Sequence, residues 1–348
     1  MKRSKKFISE VLSTLKENII NTGDPLGMRK VYWTDWAEGM NLPRTGETII
    51  FTARMYQMLP YILQVTDLVT AARPFLSRNG LGSIVNAGNR LMGDKIIRFK
   101  ALGSKGLKSK SEKILKGITR ALIAAGQRPA YLYEEEPYSG VLLYDLGLDE
   151  YIEGHIRKIY ELLKAHGVKK VIGVDPHTVF MLRKIFPKYI DNYDIEVRHY
   201  LEILSEESKV LRRYPKKTSK EEFVIHDSCY MTRELTIIEQ VRKVLEDIGI
   251  DVREPENTKL DTYCCGGPIE YAFRDLNEKI SNGRIKELSS TAKNILVECP
   301  ICLINLNKYE SEMGIKVRDI GELLFEHFMS SEDLTEEKIG ENGRKNII

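Results

Sequence analysis

The residues of this chain best suited to chemistry are its five cysteines, which all fall in the last third as Cys229, the pair Cys264-Cys265, and Cys299-Pro300-Ile301-Cys302. The pattern reads C-x34-CC-x33-CxxC. Thiols gathered into three short clusters, in a chain that uses cysteine nowhere else, point to a thiolate site rather than to crosslinks. A tetrahedral zinc ion takes four ligands and would leave one thiol over. A cubane iron–sulfur cluster also takes four. Disulfides would strand one thiol of an odd set and are disfavoured in a reducing compartment. Adjacent cysteines in extended chain point to different sides, which suits a large inorganic cluster better than one small ion. The residue chemistry therefore puts iron–sulfur first, with zinc and scattered buried thiols as the alternatives.

Such thiols need elements that bring them together. Phe223-Val224-Ile225 is a short apolar, β-branched run that reads as a strand, and His226-Asp227-Ser228-Cys229 follows at its carboxyl end. Ile295-Leu296-Val297 likewise delivers Cys299 to a loop before a helix. Open parallel sheets place ligand sites at the carboxyl ends of strands, so both clusters can converge there. Gly266-Gly267-Pro268 allows a sharp turn and a close backbone approach. Helix N-termini expected after Cys229 and Cys299 would stabilise thiolate charge.

The wider pattern predicts the scaffold. Phe7, Val11, Leu12, Leu15 and Ile19 recur at helical spacing until Asn21-Thr22-Gly23-Asp24-Pro25 ends the run. From Thr48-Ile49-Ile50-Phe51 onward, strand and helix signals alternate, which predicts an α/β fold with mostly parallel sheets. An internal repeat is also visible. Lys170 to Thr178 reads like Asn294 to Cys302, Ile195 to His199 like Ile315 to Asp319, and Phe51-Thr52-Ala53-Arg54 stands where Ile225 to Cys229 stands. Glu136-Pro137-Tyr138-Ser139-Gly140 takes the place of Tyr263-Cys264-Cys265-Gly266. The expectation is two tandem, duplicated α/β domains at 46–213 and 219–335, after a short helical N-terminal extension at 1–45. An insertion from Thr66 to Lys113 lengthens the first domain, and a linker lies near Tyr214-Pro215-Lys216-Lys217-Thr218.

Composition narrows the function classes. At 348 residues the chain exceeds the ~250 to 300 at which single cores stop growing. The formal charge of +3 gives no electrostatic case for nucleic acid. Lysines crowd from Lys95 through Lys100, Lys105, Lys108, Lys110, Lys113 and Lys116; this is read as a solvated, loop-rich face, with a docking patch for an acidic partner as the alternative. Met1 to Val11 develops no apolar run, so no export signal is expected. Thr48 to Val65 is broken by Arg54, Gln57, Pro60 and Gln64, a poor span where ~20 apolar residues are needed. A cytoplasmic chain, free or peripheral to a membrane complex, is the expectation.

The cysteine pattern with Gly266-Gly267 resembles the CCG cysteine-rich domain of heterodisulfide reductase B and D subunits, and of related iron–sulfur subunits of lactate, glycolate and glycerol-3-phosphate oxidising systems. Glu17 to Gly27, Trp36-Ala37 and Gly46-Glu47-Thr48 look like the stretch that follows the ferredoxin domain of the D-type subunit. The resemblance implies one [4Fe-4S] cluster, cubane or noncubane, held by Cys229, Cys264, Cys265, Cys299 and Cys302. It also implies thiol–disulfide redox chemistry, a ferredoxin-like subunit of the C type, and a flavoprotein subunit as partners. The first half departs from the pattern, with Arg54, Tyr138, Ser139, Asp175 and Thr178 in the ligand positions, so a second cluster is not expected. The alternative function is a structural or electron-relay subunit with zinc or a plain iron–sulfur site.

Other residues invite weighing. His226, three residues before Cys229, is a candidate donor to a cluster sulfur or proton carrier, against a plain hydrogen-bonding role. His177 reads as a structural or surface histidine, with anion or substrate binding as the alternative. Arg54, if buried, needs an anionic partner. Asp227 and Glu298 read as caps or surface charges, and Tyr56, Tyr131, Tyr133 and Tyr138 as core or interface packing.

Overall fold

The computed structural model describes residues 2–28, 30–62, 105–214, 221–269 and 273–329. Most of the expected insertion, with Lys95 and Lys100, lies outside the described residues, as does the expected linker after Tyr214. The fold is α/β with two separate parallel sheets. In the first, β1 (Thr48–Phe51), β2 (Lys170–Gly173) and β3 (Glu196–His199) lie in the order β1-β2-β3. In the second, β4 (Phe223–His226), β5 (Val252–Arg253), β6 (Asn294–Val297) and β7 (Lys316–Asp319) lie in the order β5-β4-β6-β7. The central strands are apolar and buried on both faces, as parallel strands covered by helices must be.

The repeat read from the sequence is visible in the register. Thr48 pairs with Lys170 and Lys170 with Glu196, just as Phe223 pairs with Asn294 and Asn294 with Lys316. The short edge strand β5 has a vestige in the first sheet, where Ala130 bridges to β1 through Ile50 N–H to Ala130 O and Ala130 N–H to Thr48 O. The segment after Ala130 carries Tyr138 and Ser139, as the segment after β5 carries Cys264 and Cys265. Both sheets thus aim the same set of loops from their carboxyl ends.

Helices α1 (Lys2–Thr22), α2 (Lys105–Ala124), α3 (Asp149–Ala165), α4 (Pro176–Phe180), α5 (Tyr200–Glu206), α6 (Glu239–Asp247), α7 (Arg274–Thr291), α8 (Pro300–Asn307) and α9 (Ile320–Met329) cover the sheets. On α3, Ile152, Ile156, Ile159 and Leu163 recur at helical spacing and are all buried. The two halves are held by α2 against α9. A Cβ on Gly117 would lie 2.2 Å from the backbone oxygen of Gly321, so only glycine permits this approach. The lysine run is helical from Lys105 rather than loop-rich, because apolar Ile114, Leu115 and Ile118 give it a buried face. Within it, Lys110 reaches across to Val317 O at 2.6 Å. Residues of the expected N-terminal extension pack into the first half: Met28, Trp33 and Trp36 are buried, and Trp36 Nε1 donates to Tyr131 Oη at 3.1 Å. Among the described residues no helix is long and apolar enough to cross a membrane.

Candidate metal centre

β4 ends at His226 and β6 at Val297, side by side, so Cys229 and Cys299 leave the sheet together. Cys299 is the N-cap of α8, with Pro300 in the first turn as that position favours, and Cys302 follows one turn on. Cys265, Cys299 and Cys302 are buried, whereas Cys229 and Cys264 are half-buried. The Cys265 and Cys302 sulfurs lie within 4.8 Å of each other, and the thiols influence one another's ionisation in series, Cys229 with Cys264, Cys264 with Cys265, Cys265 with Cys302, and Cys302 with Cys299. The five cysteines singled out from the sequence are thus neighbours in the fold.

The cysteine pair is held by a tight turn. Gly266 has φ of +95°, a value open to glycine, and its carbonyl accepts from Asn277 Nδ2 at 3.0 Å. Asn277 Nδ2 also donates to Asn305 Oδ1 on α8 at 2.7 Å. A Cβ on Gly267 would sit 2.3 Å from both Ile301 Cγ2 and Asn305 Nδ2. The glycines thus press Cys265 against the α8 cysteines. After Cys229 the expected helix is a single wide turn, Tyr230–Glu234, in which Leu235 N–H reaches back five residues to Tyr230 O. Only Cys299 therefore has a multi-turn helix following it.

Charge cannot spread over all five thiols without a cation. The contacts with Cys229 and Cys265, with the Gly266 N–H donated to Sγ at 3.3 Å, hold Cys264 below the usual thiol range. Burial works against ionisation of Cys299, but Cys302 and His177 bring it well below that range. The neighbouring charges and burial push Cys229, Cys265 and Cys302 up. A buried set of soft donors that can ionise together only around positive charge is the donor set of a thiolate-bound metal or iron–sulfur cluster, and the residues fit such a group.

Polar residues frame the sulfurs. His226 Nδ1 accepts from Arg284 Nε at 3.0 Å, so the proton of the neutral ring sits on Nε2, which has no partner of its own. One ring nitrogen of His226 and the sulfurs of Cys265 and Cys302 lie within 4.8 Å of one another. Burial and the Arg284 cation push the His226 pKa down to about 3, which keeps the ring neutral. This favours a donor to sulfur over a proton carrier. Asp227 and Glu298 are not surface charges, as their place beside strand ends suggested; both are buried. Asp227 is paired with Arg242 at 2.5 and 2.8 Å, while Glu298 takes the Ser228 N–H at 2.7 Å. Burial pushes Glu298 well above the usual carboxylate range. Arg242, Arg284, Asn277 and Asn305 carry no motif, and only the packed loops show their part.

Residues 223–307 match the family described as Cysteine-rich domain, CCG. The matched segment carries all five cysteines. The chain is also 28% identical over 228 residues to the EtfAB:quinone oxidoreductase of Syntrophomonas wolfei, covering 62% of this chain and 32% of that protein. It is 26% identical over 232 residues to the "Probable iron-sulfur-binding oxidoreductase FadF" of Bacillus subtilis, covering 64% and 33%. It is 27% identical over 217 residues to the D-type subunit of the dihydromethanophenazine:CoB–CoM heterodisulfide reductase of Methanosarcina mazei, covering 60% and 53%. The chain thus spans about a third of the length of the first two relatives and about half of the third.

Opposite the cysteine-bearing half, the first half fills the corresponding positions with a polar network. Arg54 is buried, with Nη1 at 3.4 Å from Asp24 and Nη2 donating to Glu136 O. The anionic partner that a buried guanidinium needs is therefore Asp24. Glu136 in turn accepts from Thr52 N–H at 2.6 Å and Thr52 Oγ1 at 2.5 Å. Tyr138 and Ser139 are buried beside it. His177 is not on the surface. Packing of the halves brings its Nε2 to 3.4 Å from Cys299 Sγ, with its ring 4.2 Å from that of Tyr230. Burial opposes its charge, yet Cys299 beside it raises its pKa to about 9. Nothing in the sequence signals this contact, because it joins residues 122 apart through the interface between halves.

Proposed function

We propose that Cys229, Cys264, Cys265, Cys299 and Cys302 hold one [4Fe-4S] cluster, cubane or noncubane, in an iron–sulfur subunit of a heterodisulfide-reductase-like complex. When bound, the cluster supplies one-electron transfer at the sulfur of a thiol or disulfide. The observation that carries this reading is the gathering of all five thiols where each influences the ionisation of the next, with two of them half-buried and three buried. The surplus over four ligands and the partial exposure at Cys229 and Cys264 suit a site that meets a sulfur substrate better than a sealed structural ion.

The surrounding residues have separate tasks. His226, with one ring nitrogen within 4.8 Å of the Cys265 and Cys302 sulfurs, would donate its Nε2–H to a cluster sulfur, a hydrogen bond that tunes a cluster's potential. Arg284 fixes that tautomer. His177 faces Cys299 from the other half. This reading takes 46–213 and 219–335 as the two domains, with the first as scaffold and partner surface. Electrons would arrive from a ferredoxin-like iron–sulfur subunit, with a flavoprotein subunit further upstream, in a cytoplasmic assembly free or peripheral to a membrane complex. Electron paramagnetic resonance on anaerobically purified, oxidised protein tests this reading: a signal that changes on adding a thiol is expected, and a spectrum indifferent to every thiol contradicts it.

A further inference from the structure

Helix α1 is tied to α3 where Lys16 Nζ donates to Tyr151 Oη at 3.3 Å, and a cleft of about 430 Å³ opens beside that contact. Its volume falls in the range of small-molecule sites, ~300 to 1,000 Å³. Arg54 and Pro137 line it, from the two loops of the first half that correspond to the Cys229 and Cys264 loops. Ile20, Leu143, Ile159 and Leu162 give it an apolar wall, and Ile20 is 48% exposed. Gly154 lies in the middle of α3, where a glycine destabilises a helix relative to alanine. Its backbone is not left-handed and a Cβ there would meet no atom within 4 Å, so neither conformation nor packing requires it. The side chain it lacks would stand in the cleft, which the glycine leaves open.

The charges around the cleft select its ligand. Arg54 is engaged by Asp24 and by Glu136 O. His155 donates from Nε2 to Tyr138 O at 2.8 Å, and burial holds its pKa below the usual value, so it brings no charge. Glu135 is turned to His166 Nε2 at 3.0 Å. Lys30, Lys158 and Glu150 remain, all exposed and without an ion-pair partner among the described residues. Two free cations against one free carboxylate leave a place for one negative charge. We propose that this cleft binds an organic monoanion, a carboxylate on an apolar body, with the carboxylate toward Lys30 and Lys158 and the body along Ile20, Leu143, Ile159 and Leu162. Glu135 and Glu150 repel a second negative charge, and the apolar wall offers a bare inorganic anion nothing. Every lining residue belongs to the first half, so the site stands apart from the thiols and does not depend on what they hold.

Calorimetric titration of the full, anaerobically purified chain tests this with phenylbutyrate, phenylbutylamine, phenylbutanol and inorganic phosphate as probes. Phenylbutyrate is expected to bind at least about fivefold more tightly than the amine or the alcohol, which share its apolar body. Gly154→Phe, which fills the cleft from a position with no clash at Cβ, should weaken phenylbutyrate by about tenfold or more at unchanged helicity. Gly154→Leu gives the same test should the first variant fail to fold. Lys30→Gln together with Lys158→Gln should weaken phenylbutyrate by about threefold or more and leave phenylbutanol unchanged. Tighter binding of the amine than of the carboxylate overturns the anion class in favour of a cation held by Glu150. Phosphate binding as tight as that of phenylbutyrate overturns the apolar body. No saturable binding of any probe, or indifference to both Gly154 variants, overturns the site itself.

Discussion

The two halves of the molecule repeat one strand frame and fill it with opposite chemistry. Asp175 and Cys299 have the same extended backbone, φ −138° and −141°, and each precedes a proline that opens a helix. The Asp175 carboxylate accepts from Thr178 N–H at 3.0 Å, whereas Cys299 makes no side-chain capping hydrogen bond. A carboxylate thus caps the helix in one half, where the other half keeps a sulfur free of that task. After the first strand the halves part: Ala53 and Arg54 have φ of +45° and +63°, whereas Cys229 has −59°. The guanidinium is swung into Asp24 and Glu136, while the thiol meets Cys264. One half is closed by its own ion pair, and the other is left with a thiol set that needs an external cation.

That contrast can be broken by charge deletion. Arg54→Met leaves Asp24 buried without its cation and should cost about 3 to 5 kcal/mol in urea unfolding. Cys229→Ser at the matching position, in the metal-free chain, should cost less than about 1 kcal/mol because that side chain is half-buried. Similar losses in the two variants would mean that the halves do not differ in this way.

A second effect of similar kind concerns the loop that presses the cysteine pair inward. Gly267→Ala places a Cβ 2.3 Å from Ile301 and Asn305 and should cost about 1 to 3 kcal/mol, with a loss of bound iron. Gly140, which follows Ser139 in the first half, has φ of +84° and a Cβ there would meet the His155 ring at 2.6 Å. Gly140→Ala should therefore destabilise the chain without lowering iron content. Iron lost equally from both variants would break the assignment of the site to one half.

The smallest effect is the pH dependence that Glu136 contributes from the polar half. Burial raises Glu136 from 4.5 to about 7, so the folded state holds a proton that the unfolded chain releases. Its contribution is complete below pH 4.5 and is lost as pH rises through about 7. Glu136→Gln should flatten the fall in unfolding midpoint between about pH 5 and about pH 7, by at most about 1.4 kcal/mol per pH unit. An unchanged slope would show that Glu136 does not hold the proton.

Much of this was legible in the residues. β-branched runs marked strands, the repeat matched segments that take like places in the two sheets, and the flanking strands placed Cys229 and Cys299 at neighbouring carboxyl ends. The edge strand β5 was not legible, since two residues, Val252-Arg253, make no pattern. Nor were Asp227 and Glu298, because a carboxylate's burial depends on partners such as Arg242 and Ser228 that distant loops bring. His177 shows the limit most clearly: a turn histidine on sequence, it becomes part of the site only through contact between the halves.

Metal and acid-labile sulfide per chain, measured on anaerobically purified wild-type protein beside Cys265→Ser and Cys302→Ser, tests the five-thiol site most directly. Roughly four irons with matching sulfide are expected in the wild type, with loss of both in each variant. Stoichiometric zinc without iron, or iron unchanged in both variants, would contradict it.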